Sequence, residues 1–443
     1  MIRFIKSLYF TPRFFYLLTA WALAFALSYW LKPLYAWVWL TVLGGVCLIL
    51  MEIIMLYQKK AFYARRLLPE KFSNGDPNPV NIQVQNKFPF TIYGTVIDEL
   101  PVQLQKRDFS ISFSLTGKNQ TTLQYEIRPV ERGEYHFGRI NVYINTRIGL
   151  CRRRFKFDNG QMVKVYPSFI QMKKYDFLAI SNRLLFSGIK KIRRIGHTME
   201  FEQIKEYAPG DDIRTINWKS TAKKADLMVN QYQDEKMQPI YSIIDSSRVM
   251  KMPFEGLKLL DYAINSTLAF ANIALKKGDK TGMLELGHKI KNYVPAESKK
   301  SHLNLLLETL YNLDTHFLDT DFGALQLFVK KHITQRSLLL LYTNFEHITS
   351  LQRQLPHLTA IAKKHLLVVV FFENTELRKL IDQPTDSIFE IYDQTIAQQF
   401  QYDKKVMVSE LQRRGIQTIL TTPEELTINT INKYLEIKAK GLL

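Results

Sequence analysis

Three regimes of hydrophobic and polar spacing divide this chain. The first holds two uninterrupted apolar runs, Phe14–Leu31 (FFYLLTAWALAFALSYWL) and Leu34–Met51 (LYAWVWLTVLGGVCLILM), each of 18 residues without a charge. Coiled into helices, each would span about 27 Å, close to the ~30 Å of bilayer hydrocarbon. The second regime, Pro79 to Pro167, has period two. Val80, Ile82 and Val84 alternate with polar residues, as do Phe109, Ile111 and Phe113, and then Ile140, Val142 and Ile144. Turn residues such as Asn-Gly and Arg-Gly separate these stretches, which predicts a small antiparallel β-sandwich.

The third regime begins at Pro239, where buried-strand runs alternate with helical periodicity. "PIYSIID" is an apolar strand ending in an acid, and Leu260, Ala263, Ile264, Thr267, Leu268, Ala271, Ala274 and Leu275 form one helical face, stopped by Gly278. Further strands are predicted at Thr281–Leu286, Ser337–Thr343, Leu366–Phe372 and Ile416–Leu420. This order predicts a doubly wound α/β domain, a mainly parallel sheet covered on both faces. Ligands of such sheets bind beyond the carboxyl ends of the strands.

Flanking charge orients the apolar pair. Arg3, Lys6 and Arg13 precede it, Lys59, Lys60, Arg65 and Arg66 follow it, and only Lys32 lies in the turn. The positive-inside rule then makes a transmembrane helical hairpin with both termini and all soluble domains cytoplasmic. Trp30, Trp37 and Trp39 cluster near the Lys32-Pro33 turn as an interfacial belt, and Glu52 is placed to reach the opposite interface. With 60 Lys and Arg against 41 acids, the net charge of +19 suits an anionic partner without choosing among lipid, nucleic acid and acidic protein. Two cysteines, Cys47 and Cys151, in regions of different character suit a reducing compartment.

Familiar catalytic patterns are missing from the sequence. There is no Walker-type glycine loop, and "GDKTG" (Gly278–Gly282) reads as a helix stop followed by a strand. No HExxH, Cys/His zinc pattern or G-x-S-x-G elbow occurs. Metal chemistry has one candidate. Asp245 and Ser247 follow the first α/β strand, "DTDFG" (Asp319–Gly323) precedes a helix, and "YTN" (Tyr342–Asn344) ends a later strand. Asp245, Ser247 and Thr320 could supply part of the oxygen set that Mg²⁺ requires. Two basic runs also stand out: Arg152–Arg154 reads as a solvated strand end, while Lys190, Lys191, Arg193 and Arg194 could face lipid phosphate or simply be solvated.

The most distinctive stretch is "EYAPGDDIRTINWKSTAK", Glu206–Lys223. Pro209-Gly210 predicts a turn, Asp211 or Asp212 a cap for a helix starting near Ile213, and Arg214 a partner for either acid. Trp218, four residues beyond Arg214, is expected to pack against the α/β domain, making the segment a structural clasp. As a site, the same Asp211, Asp212 and Arg214 could handle a proton or an anion.

This stretch, followed by a strand ending in Asp-x-Ser, resembles the signature of the bacterial family called domain of unknown function 58. Tyr207, Gly210, Asp211, Asp212, Arg214, Trp218 and Lys219 carry the resemblance. It extends to "RPVERGEYHFGRI…RIGL" (Arg128 to Leu150), to "VYP" (Val165–Pro167), and to "GDKTGMLELGHKIKNYVPA" and "DTDFGAL", which look like a von Willebrand factor A-type domain. The resemblance implies four parts: a hairpin with basic flanks at 1–66, a β-sandwich at 67–168, a connecting segment with the signature at 169–238, and an A-type domain at 239–443.

It further implies a protein of the bacterial inner membrane working beside a MoxR-type AAA+ ATPase in assembly or envelope maintenance, with no established reaction. The A-type metal pattern asks for Asp-x-Ser-x-Ser, a Thr and an Asp. Asp245, Ser247 and Thr320 match it, but Val249 and Asn344 replace ligands, with Asp321 a partial substitute. Mg²⁺ affinity should therefore fall, leaving Asp245, Ser247, Thr320, Asp321 and Asn344 as a partner-binding edge. The first expectation is a non-enzymatic interaction protein using that edge. An enzyme acting on envelope precursors, centred on Asp211, Asp212 and Arg214, is the second. A basic lipid- or nucleic-acid-binding module on Lys190–Arg194 is the third, with nucleic acid disfavoured and the small-molecule substrate undefined.

Overall fold

The computed structural model describes residues 6–57, 62–157, 160–180, 199–209, 211, 213–224, 226–234, 238–315, 317–384 and 387–442. They group into two compact units, Met1–Tyr166 and Pro167–Leu443.

In the first unit, strand β1 (Leu8–Phe10) precedes two helices, α1 (Pro12–Ser28) and α2 (Leu34–Tyr57). Proline at the start of α1 suits a position whose N–H has no helical partner. Both helices are apolar, but among the described residues α2, with a mean hydropathy of 2.3, is the one helix long and apolar enough to cross a membrane. α1 has 17 residues and stops short of the expected run, leaving Trp30 and Leu31 in the turn. The helices pack through Trp21, whose ring occupies the space a Cβ on Gly45 would fill, and through Phe25 set edge-on to Trp39 at 5.7 Å.

The strands that follow are β2 (Phe62–Leu67), β3 (Lys71–Ser73), β4 (Asn78–Asn86), β5 (Ile92–Asp98), β6 (Ile111–Leu115), β7 (Gln120–Ile127), β8 (Gly133–Phe137), β9 (Ile140–Asn145), β10 (Cys151–Phe157) and β11 (Gln161–Tyr166). They form sheets in the orders β1-β10-β9-β5-β6, β2-β4-β7 and β3-β11-β8. Every pairing is antiparallel except β3 with β11. A common core holds the sheets together, as expected of a sandwich. Val80, Ile82 and Val84 from β4 and Ile140, Val142 and Ile144 from β9 are fully buried in it, each contributing about 1.5–3 kcal/mol. Phe113 and Leu115 are the inward residues of β6, whereas Ile111 and Phe109 only pad the edge.

Three charged groups of this unit depart from expectation. Glu52 is not a solvated charge: it is fully buried, and its carboxylate accepts from Thr146 Oγ1 (2.6 Å) and from the backbone N–H groups of Gly149 (3.1 Å), Leu150 (3.0 Å) and Cys151 (3.0 Å). Gly149 sits at φ +72°, the left-handed turn that aims these successive N–H groups at one anion. Arg66 is no flanking cation either. It lies inside the core of this unit, ion-paired with Asp98, which also accepts from Tyr125 Oη at 2.5 Å. Finally, Arg152–Arg154 is not simply a solvated end. Arg153 donates to Leu56 O (2.5 Å) at the close of α2, sandwiched between the rings of Tyr57 and Phe155. Arg154 lies over Tyr9. Cations at a helix carboxyl end are favourable, and cation–π stacking adds to the hold.

The second unit opens with α3 (Phe169–Ile180) and a two-stranded ribbon, β12 (Met199–Glu206) with β13 (Met228–Asp234), whose connection carries α4 (Trp218–Lys224). Its main body runs β14 (Pro239–Asp245), a small hairpin β15 (Pro253–Phe254) and β16 (Leu257–Lys258), α5 (Leu259–Lys276), β17 (Lys280–Leu286), β18 (Tyr293–Glu297), α6 (His302–Tyr311), α7 (Phe322–His332), β19 (Leu338–Tyr342), α8 (Ile348–Ala362), β20 (Leu366–Phe372), α9 (Thr375–Asp382), α10 (Ile388–Arg413), β21 (Gln417–Thr421) and α11 (Leu426–Ala439).

The sheet order is β18-β17-β14-β19-β20-β21. All pairs are parallel except the edge pair β17–β18, and that edge strand escaped the sequence pattern because YVPAE lacks clear alternation. α5 and α11 cover one face, while α7, α8 and α10 share a core with the other face through Leu325, Leu351 and Met407. Every residue of β14 is buried, which explains its unbroken apolar run.

Candidate functional site

Numbered from β14, the strand order reads 3-2-1-4-5-6, so the chain reverses direction of winding between β14 and β19. That crevice, beyond the strands' carboxyl ends, is where doubly wound sheets hold ligands. Asp245 closes β14 there and is buried. Its Oδ1 accepts from Ser247 N (2.9 Å) and from Thr320 Oγ1 (2.6 Å), and its Oδ2 accepts from Thr343 Oγ1 (2.7 Å). Burial pushes the carboxyl above the usual carboxylate range, against the pull of the Thr320, Thr343 and Ser247 hydrogen bonds.

Sequence reading brought Asp245, Ser247 and Thr320 to one place, and the geometry joins them. The sequence places Thr343 at the same edge within "YTN" but assigns it no role; in the structure it is the donor to Asp245 Oδ2. Asp321 does not reinforce the set, since its side chain caps α7 by accepting from Ala324 N at 2.9 Å. Asn344 is drawn away: its Oδ1 accepts from Lys404 Nζ, which also donates to Phe345 O at 2.6 Å. Burial lowers the Lys404 ammonium to about 8, although Glu346 opposes the shift.

For Mg²⁺ these donors form a reduced oxygen set. A hard cation needs unprotonated oxygen lone pairs in near-octahedral array. Here the Asp245 oxygens accept three hydrogen bonds, from Ser247 N, Thr320 Oγ1 and Thr343 Oγ1, Asn344 answers to a lysine, and Val249 offers no oxygen. Among the described residues no group of three or more His, Cys, Asp or Glu could hold a metal. The arrangement is a rigid polar cluster in which Asp245, Ser247 and Thr343 are buried and the partly exposed Thr320, beside the exposed Asp321, reaches the surface.

The signature stretch is arranged differently from expectation. Asp211 does not cap a helix at Ile213: it pairs with Lys205 Nζ (2.9 Å) and accepts from Ala208 N (2.9 Å), which together hold its carboxyl below the usual range. Ile213–Thr215 is a single 3₁₀ turn, and α4 begins only at Trp218, capped by Asn217 through Ser220 N at 3.1 Å. Trp218 is 70% exposed, so it does not pack into the α/β body. Tyr207 N bonds to Leu227 O at 2.8 Å, tying the ends of the ribbon, and Lys219 is exposed. Gly210, Asp212 and the run Lys190, Lys191, Arg193 and Arg194 lie outside the described residues, as does the Arg214 side chain.

Together these features define a class: an α/β domain with a polar cluster at its winding reversal. The family described as "Protein of unknown function DUF58" matches residues 203–421, covering the six strands of that domain's sheet and most of the ribbon. The uncharacterized protein YeaD of Bacillus subtilis (strain 168) is 26% identical over 265 residues, 58% of this chain and 64% of that relative. The match thus spans less than two thirds of the relative's length. Among solved structures, a PapD-like domain of human CEP192 is 11% identical, covering 24% of this chain and 84% of that domain with a TM-score of 0.20. A CARDB domain from Pyrococcus furiosus is 13% identical, covering 24% and 94% with a TM-score of 0.17. Scores this low define no shared fold.

Proposed function

We propose that this protein is a membrane-anchored member of the DUF58 family that docks a protein partner, without metal, at the carboxyl edge of a von Willebrand factor A-like domain. The observation that carries this reading is Asp245, buried at the winding reversal and locked by Thr320 and Thr343 from two other segments. A carboxylate saturated in this way organises a surface in place of performing proton transfer. In this reading α1 and α2 form a two-span hairpin. Lys6, Arg13, Lys59, Lys60 and Arg65 on the cytoplasmic side against Lys32 in the turn support it even without Arg66. The partner is an AAA+ ATPase of the MoxR type, the context the sequence resemblance implies.

The test is affinity capture of the detergent-solubilised chain from its native membranes, comparing wild type with Asp245→Ala and Thr320→Val, each with Mg²⁺ and with chelator. Mass spectrometry should identify an AAA+ ATPase with wild type under both conditions and lose it with both variants, whose circular dichroism stays native. An ATPase captured equally by all three proteins, or none above a tag-only control, would sink the reading.

A further inference from the structure

The carboxyl edge of the sheet holds a second feature. Beside β20 and β21, α9 and α10 enclose a cavity of about 330 Å³, the low end of the ~300–1,000 Å³ typical of small-ligand pockets. Its walls are largely apolar, built by Phe254, Phe372, Phe400 and Leu420. Phe254 and Phe372 are buried and Phe400 stands at the mouth, 37% exposed. Asn344 and Lys404 also line it. The Lys404 ammonium has three N–H groups. Two are held, by Asn344 Oδ1 and Phe345 O, and the third meets no acceptor among the described residues. Nor does any carboxylate among the described residues lie within 4.0 Å of Nζ.

We propose that this cavity is a binding site for a monoanionic carboxylate carried on a short apolar body, with the Lys404 ammonium as its anchor. Two oriented backbone and side-chain acceptors fix the amine, so a ligand carboxylate completes its hydrogen bonding without reorganising the site. Apolar walls select against small hydrophilic anions. Glu346, Glu373 and Arg378 also line the cavity; with Lys404 they make two acids against two cations, a balance that disfavours a phosphate dianion more than a single carboxylate. The carboxylate could belong to a free organic acid or to the last residue of a polypeptide. The latter has an approach along α10, whose exposed Phe389, Tyr392 and Ile396 lead towards Phe400. Neither Asp245 nor Thr320 lines the cavity, so ligand binding here and docking at the winding reversal can fail separately.

Calorimetry on the full chain in detergent would compare hexanoate and 4-phenylbutyrate with their matched amides. The same comparison would be made for a short peptide ending in phenylalanine, with a free or an amidated carboxyl end. The acids should bind at least about tenfold tighter than the amides, as expected for one charge-assisted hydrogen bond. Lys404→Met should abolish that preference, and Phe400→Ala should weaken the acids while keeping it. Tighter binding of the free-ended peptide than of either small acid would assign the site to a polypeptide terminus, and the reverse to a free organic acid. Acid and amide binding equally, no binding by any probe, or a preference undiminished in Lys404→Met would overturn the proposal. Should Lys404→Met fail to fold, the acid–amide comparison on wild type and Phe400→Ala still decide.

Discussion

Replacing Glu52 by Gln probes the anchor between α2 and the loop entering β10. The carboxylate accepts four hydrogen bonds, from Thr146, Gly149, Leu150 and Cys151. A Gln side chain keeps one acceptor oxygen and turns an NH₂ toward the remaining donors, so two of the four lose their partner. Bonds to a charged group are worth roughly 1.5–3 kcal/mol each. Two such losses, less the desolvation cost that the neutral amide avoids, leave a deficit of about 3 kcal/mol. At about 1.4 kcal/mol per tenfold, opening of the 149–151 loop becomes on the order of a hundredfold more frequent.

Cys151 reports this opening directly, because its thiol is free and buried, and is pushed up to about 11 by burial and by the nearby Glu52 charge. With Cys47 replaced by Ser, a thiol reagent can reach only Cys151, and only in the open state, where the thiol has its ordinary acidity. The ratio of labelling rates then reads the opening free energy. Labelling should be about a hundredfold faster in Glu52→Gln and faster still in Glu52→Ala. Wild-type rates in both variants would refute the reasoning.

Other expectations follow from the same structure. Asp98→Ala leaves Arg66 charged and unpaired in the core of the first unit and should cost about 3–5 kcal/mol, read as a fall in the denaturation midpoint. Trp218→Ala should change stability by less than ~0.5 kcal/mol, because the ring is exposed; a larger loss in thermal unfolding would restore the clasp. Asp211 has a folded pKa below its unfolded one, so its contribution is present above the unfolded pKa and is lost as pH falls through the folded value. Wild type should therefore exceed Asp211→Asn in stability at neutral pH, with the gap closing in acid; a gap that persists there would show that the charge is irrelevant. Mg²⁺ should not raise the unfolding temperature, whereas a concentration-dependent rise would show binding to the native state.

Much of the architecture was legible where a single element's burial decides its spacing. The strand Leu366–Phe372 was expected with its exact bounds, and helix Leu259–Lys276 with its stop at Gly278, because each buries its apolar positions against a whole sheet or core. The site was half legible. Asp245 and Thr320 are 75 positions apart, and a known pattern of residue types linked them. No such pattern existed for Thr343 or for Lys404, which reaches Asn344 from 60 positions away.

Local sequence therefore determined where strands and helices form, where the apolar helices lie and which end of the sheet carries polar residues, because hydrophobic burial imposes a period on neighbouring positions. Charge partners were decided only by the tertiary structure. The chain pattern gives Arg66 and Glu52 no partner, yet one pairs with Asp98 in the core and the other accepts from successive backbone N–H groups. Asp211 likewise pairs with Lys205, a partner the sequence pattern did not point to. The physical reason is that a buried charge must find donors or a counter-ion wherever the fold brings them, and no periodicity in the chain records those long-range meetings.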